Sequence, residues 1–127
     1  EIVLAAEFVT HPNMPDVGAS PDGTVGSTGL LEIKCLNAAN HIDALREGMA
    51  AKYKPQVQTQ LWVTGREWCD FCVFHPDFPE SMQIGVTRVK ADAEYHKLLA
   101  SESVRFLAEV DATVAELLAK FEQKAAA

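Results

Sequence analysis

The stretch Leu30-Leu31-Glu32-Ile33-Lys34-Cys35 constrains the fold more than any other part of the chain. It is short, mostly apolar and preceded by a glycine-rich connection, which is the pattern of a buried strand. Alternation along a strand puts Leu30, Glu32 and Lys34 on one face and Leu31, Ile33 and Cys35 on the other, the second set being expected to pack into the core. A carboxylate and an ammonium on such a strand are expensive to bury unless they pair or bind something. One reading is an ion pair between them. The other adds Asp22, brought back by the turn between Gly23 and Gly29, and gives a cluster of two carboxylates and one lysine. Carboxylates with a nearby backbone carbonyl are hard oxygen donors that suit Mg²⁺ or Mn²⁺ rather than zinc. A cation there lowers the pKa of bound water and steadies charge on a phosphoryl oxygen. A lysine beside it orients the water or offsets the developing charge.

The elements on either side follow from periodicity and punctuation. Ile2 to Val9 reads as a first strand, broken by His11-Pro12-Asn13-Met14-Pro15, and Asp16 to Ser20 as a second. Pro21-Asp22-Gly23 is a turn. Asn37 is an N-cap for a helix from Ala38 to Glu47 that Gly48 closes, with Ala38, Ile42 and Leu45 as its apolar face and His41 at the surface. A second helix takes Pro55 in its first turn, with Val57 and Leu61 on one side and Gln56 and Gln60 stacked on an adjacent one. On the residues alone, Gln56, Gln58 and Gln60 make a polar helix face. Trp62 is expected in the core. Tyr53 and Lys54 stand where substrate could approach, and Tyr53 equally suits packing. Strands are expected over Glu67 to Phe74 and Met82 to Val89, with Arg88 and Lys90 as candidate phosphate contacts. Asp92 caps a long helix whose apolar residues, from Tyr95 to Phe121, recur at helical spacing as a stripe expected to pack on the sheet.

The bulk numbers fit this picture. A chain of 127 residues with 48% hydrophobic content suits one globular domain. No apolar run is long enough for a bilayer and no signal-peptide pattern opens the sequence, so a soluble intracellular protein with no membrane contact is expected. Three cysteines, Cys35, Cys69 and Cys72, do not form a disulfide framework, and the Cys69/Cys72 pair has no second pair at zinc-site spacing. They are expected to be reduced and to serve packing. The net charge of −7 does not by itself suggest a nucleic-acid surface, although carboxylates that hold a cation count toward it.

Pro21-Asp22 followed by Glu32-x-Lys34 resembles the PD-(D/E)xK nuclease signature. Three segments together, Gly18-Ala19-Ser20-Pro21-Asp22-Gly23, Leu31-Glu32-Ile33-Lys34-Cys35 and Tyr53-Lys54-Pro55-Gln56-Val57-Gln58-Thr59-Gln60-Leu61-Trp62-Val63-Thr64-Gly65, resemble in order and spacing the core motifs of the phage lambda exonuclease, or YqaJ-type viral recombinase, family. The likeness is strong over roughly residues 15 to 80 and extends to Trp68-Cys69-Asp70-Phe71. It implies an α/β fold, a mixed central sheet flanked by helices in a restriction-endonuclease-like core with a long C-terminal helix. It implies Asp22 and Glu32 as metal ligands, the Ile33 carbonyl as a third, Lys34 as the residue that positions the nucleophile and Gln56 as the glutamine that closes the site. Gln60 is then a supporting candidate, and Ser20, Tyr53, Lys54 and Arg88 are candidate substrate contacts.

The activity implied is Mg²⁺-dependent (Mn²⁺ as the substitute) digestion of one strand of linear duplex DNA from 5′ to 3′ in phage recombination. A phage- or prophage-encoded protein in the host cytoplasm, a single-strand annealing partner and a homotrimer go with it. The resemblance also departs from the family pattern, which has a helix with a further Glu before the first strand. Residues 1–127 are expected to be a single nuclease domain without that helix. Two other functions stay open: an endonuclease with the same site, and a non-catalytic binding or assembly module with an incomplete one.

Overall fold

The computed structural model describes residues 1–4 and 7–126. Two compact units divide the chain, Glu1–Ala93 and Glu94–Ala127.

The first unit is built on a sheet of five strands, β1 (Ile2–Leu4), β4 (Gly23–Val25), β5 (Gly29–Lys34), β6 (Trp68–Phe74) and β7 (Ile84–Lys90), side by side in that order. Only the β5–β6 pair is parallel; the other pairs are antiparallel. The sheet is therefore mixed, as expected. A separate hairpin is formed by β2 (Val9–His11) and β3 (Met14–Ala19). The expected first strand is thus two strands in two sheets, and Ala5 and Ala6 between them lie outside the described residues. β4 was not anticipated. Its ladder with β5 turns at Gly26, whose φ of +54° lies in the left-handed region that favours glycine.

Parallel neighbours need a crossover. Here it is made by α1 (Ala38–Glu47) and α2 (Lys54–Thr64), joined through a single 3-10 turn, Ala51–Tyr53. Asn37 Oδ1 caps α1 by accepting from the Asn40 N–H at 2.9 Å, and Gly48 and Gly65 close the two helices from positive φ. The helices cover one face of the sheet. Leu30, Cys69, Phe71 and Val73 from the strands meet Val57 and Leu61 from α2 there, all essentially inaccessible. α2 also packs on the β2–β3 hairpin, which is why Val57, Gln58, Gln60, Leu61 and Val63 are buried around most of its circumference.

Three expectations are corrected. Alternation grouped the residues of β5 correctly, but the core lies on the other side. Leu30 and Glu32 are buried, whereas Ile33 is 38% exposed and Cys35 is exposed. The reason is that α1 and α2 cover the Glu32 face, and alternation alone does not say which face a crossover will cover. His41 is not at the surface but fully buried. Its Nε2 donates to the Met82 carbonyl at 2.8 Å and its ring packs on Phe78 at 4.7 Å, so α1 turns His41, Ala44 and Leu45 inward and leaves Ile42 exposed. Trp62 is half-buried, stacked on His11 at 4.4 Å, rather than a core residue.

The described residues of the second unit, 94–126, belong to α3 (Ala93–Ala126). Along it Phe106, Val110, Val114, Leu117, Leu118 and Phe121 are exposed. At 1.5 Å per residue the helix runs about 51 Å. Among the described residues no helix is long and apolar enough to cross a membrane.

Candidate active site

The β4–β5 register places Gly23 opposite Leu31 and Thr24 opposite Leu30. Continued by one residue, it sets Asp22 beside Glu32, on neighbouring strands where facing side chains approach within about 5 Å. Asp22 is exposed, and its Oδ2 accepts the Ile33 N–H at 2.7 Å. The aspartate is thereby pinned to the backbone of the strand that carries Glu32.

Glu32 is 2% exposed and accepts from three donors. Gln56 Nε2 reaches Oε1 at 2.8 Å, Gln60 Nε2 reaches Oε2 at 2.9 Å, and Lys34 Nζ pairs with Oε1 at 2.9 Å. A buried carboxylate needs such partners, since each unmet lone pair in a dry interior is a cost. The ion pair read from β5 is therefore present, with Lys34 retaining about a quarter of its exposure. Its ammonium also lies 5.6 Å from the centroid of the Tyr53 ring, which packs on Phe71 at 5.1 Å.

The structure brings Asp22, Glu32, Ile33, Lys34 and Gln56 together, and adds Gln60 in direct contact with Glu32. A cleft of about 350 Å³ adjoins them, lined by Ser20, Gln56, Thr59 and Gln60 among others. Tyr53 lines a second cleft of about 230 Å³ with Lys52, Asp43 and Glu47. Lys54 pairs with Asp92 at 3.2 Å. Arg88 is elsewhere. Its ladder partner Asp70 is one residue out of phase with Phe71, which pairs with Glu32, so Arg88 and Asp70 occupy the opposite sheet face. There Arg88 donates twice to Asp70, at 2.8 and 2.9 Å, and stacks on Trp68 at 3.7 Å. Trp68 in turn covers Gly29, where a Cβ would come within 2.2 Å of the ring. Arg88 is thus a strut of that face.

No group of three or more His, Cys, Asp or Glu able to hold a metal occurs among the described residues. Two carboxylates and a main-chain carbonyl are nonetheless an all-oxygen donor set. Mg²⁺ is suited to so few protein ligands because it keeps several waters and completes its shell with substrate phosphate. The residues present fit a hard divalent cation.

Cys69 lies beneath the carboxylates. Burial pushes its thiol up to about 12, and the charges of Glu32, Asp70 and Asp22 add to the effect. Burial raises the Cys72 thiol as well. A raised pKa keeps a thiol protonated and unreactive. Iodoacetamide at pH 8 should therefore modify exposed Cys35 quickly, half-buried Cys72 slowly and Cys69 only after unfolding. Mass spectrometry of timed digests reads the order, and early labelling of Cys69 would contradict it.

The mixed sheet, the helical crossover and a buried Glu–Lys pair beside a turn aspartate define a PD-(D/E)xK-type core. Residues 2–67 match the YqaJ-like viral recombinase domain, and the chain belongs to that family. Among solved structures it resembles an alkaline exonuclease from Laribacter hongkongensis, with a TM-score of 0.92 and 38% identity over 97% of this chain and 63% of that one. The same exonuclease in complex with dAMP matches at 0.91 and 39% identity, over 95% and 63%. The chain thus spans 63% of the length of these structures. A phage-related exonuclease from Haemophilus somnus matches at 0.56 and 17% identity, over 81% of this chain and 63% of that one, a likeness of fold alone. No curated protein sequence gives a significant match.

Proposed function

We propose that the chain carries the catalytic core of a metal-dependent deoxyribonuclease of phage-type recombination, a 5′-to-3′ exonuclease acting on linear duplex DNA. The observation that carries this reading is the convergence of Lys34, Gln56 and Gln60 on one buried carboxylate, Glu32, beside Asp22. Any carboxylate this deeply buried needs donors; donors on both of its oxygens, with a second carboxylate alongside, also hold it in the fixed pose a metal ligand requires.

In this mechanism Asp22, Glu32 and the Ile33 carbonyl would hold Mg²⁺, with Mn²⁺ as the substitute. The bound cation supplies acidity to water and neutralises phosphoryl charge. Gln56 and Gln60 fix Glu32. Lys34, partly open to solvent, orients the attacking water and faces the negative charge that grows on the phosphate. Water adds to phosphorus in line as the phosphodiester P–O bond breaks, and the proton the water gives up passes through solvent to the departing oxygen. Ser20, Tyr53 and Lys54 approach the substrate backbone. A single-strand annealing protein and a trimer of this chain complete the assembly in the host cytoplasm.

The test is digestion of linear and covalently closed circular duplex DNA with Mg²⁺. Loss of the linear form alone supports the exonuclease. Loss of both makes the protein an endonuclease with the same site, and loss of neither overturns the catalytic reading in favour of a binding module.

A further inference from the structure

The geometry points to Gln60 as a positioning residue: together with Gln56 it clamps both oxygens of Glu32 and so sets the affinity of the site for a divalent cation. The inference rests on the nuclease reading above.

The three glutamines of α2 divide by helical phase. Residues four apart share a face, so Gln56 and Gln60 both reach Glu32, one to each oxygen. Gln58 points away, its Nε2 on the Lys90 carbonyl at 2.9 Å and its Oε1 accepting the Asp92 N–H at 3.0 Å. Two amides from successive turns of one rigid helix prevent the carboxylate from rotating without breaking a bond. Gln56 is exposed and can exchange its bond for water, whereas Gln60 is only 3% exposed and has no solvent alternative.

A second observation sets Gln60 apart from a packing residue. An ionised carboxylate only accepts, so the amide must turn its nitrogen toward Glu32. Its Oε1 is then buried without a partner among the described residues. A leucine or methionine would fill the same space with no unmet acceptor. That cost is intelligible if the amide is there for Glu32. Gln60 also borders the cleft with Ser20 and Gln56, so the clamp stands where a substrate backbone would enter.

The test is a calorimetric titration of the chain with Mn²⁺ in the absence of DNA, with thermal melting in parallel. Gln60→Met keeps the length of the side chain and removes the amide. Its Mn²⁺ affinity should fall about 10–100-fold, the range for residues that orient a metal ligand. DNA cleavage should recover when Mn²⁺ is raised in proportion. Gln58→Met, the control for a merely structural glutamine, should lower the melting temperature and leave Mn²⁺ affinity unchanged. Gln60→Asn keeps the amide but shortens its reach, and serves if the methionine variant does not fold. Wild-type Mn²⁺ affinity in a folded Gln60 variant overturns the inference while Glu32-dependent binding by the parent chain persists. If the parent takes up no Mn²⁺, or Glu32→Gln takes up as much, the nuclease reading fails first and this one with it.

Discussion

Glu32→Gln should lower the single-turnover rate of linear duplex digestion by at least about 10²–10³-fold, the loss expected when one fixed electrostatic group is removed from a reaction centre. The effect has two sources. The charge that would hold the cation is gone. The new amide also presents an NH₂ where an acceptor stood, facing either the Lys34 ammonium and Gln56 or the Gln60 amide. Donor against donor in a site 2% exposed costs about 1–3 kcal/mol. A melting temperature lower by several degrees should accompany the loss of rate, with the fold retained. The two effects separate by condition: raising Mg²⁺ should not restore the rate, because the missing group is the ligand itself. Cleavage within a few-fold of the parent would remove Glu32 from the chemistry and return the Glu32–Lys34 pair to a structural role.

What the sequence made legible was chemistry at short range. That Asp22, Glu32 and Lys34 come together is readable because turn chemistry and strand alternation are local rules, and the β4–β5 hairpin brings Asp22 back as the glycine-rich connection implies. Gln56 emerged only through the resemblance, since a glutamine on a helix is ordinarily a solvated residue. Gln60 carried a faint signal of its own, its four-residue spacing from Gln56. What failed was everything decided by a distant partner. Alternation could say that Glu32 and Leu30 share a face, but not that α1 and α2 would lie over it. A lone histidine on α1 gave no hint that the segment around Phe78 and Met82 would fold over it and supply a carbonyl. Three-residue strands such as β1 and β4 hold too little pattern to be recognised and exist through their ladders. The helical spacing along α3 describes a face without naming what meets it.

Phe71→Ala should destabilise the fold by about 3–5 kcal/mol. Phe71 is 1% exposed and lies on β6, the strand flanked by β5 and β7. Its ring packs on Tyr53 and joins the cluster of Leu30, Val57, Leu61, Cys69 and Val73. Removing it empties a space that strands on either side and a helix above cannot collapse into without breaking the ladders. Domains of this size are held by only about 5–15 kcal/mol, so the loss is a large share of the whole. A urea titration should show a much earlier midpoint with an unchanged slope. The register adds a functional consequence, because Phe71 is the ladder partner of Glu32, and a core that loosens there loosens the carboxylate. Phe106→Ala is the matched comparison: the same atoms are removed from a residue 61% exposed on α3, and the stability should change by no more than about 0.5 kcal/mol. Equal shifts for the two variants would mean that the core is not organised around the strand that faces Glu32, and with it the account of how this fold holds its site.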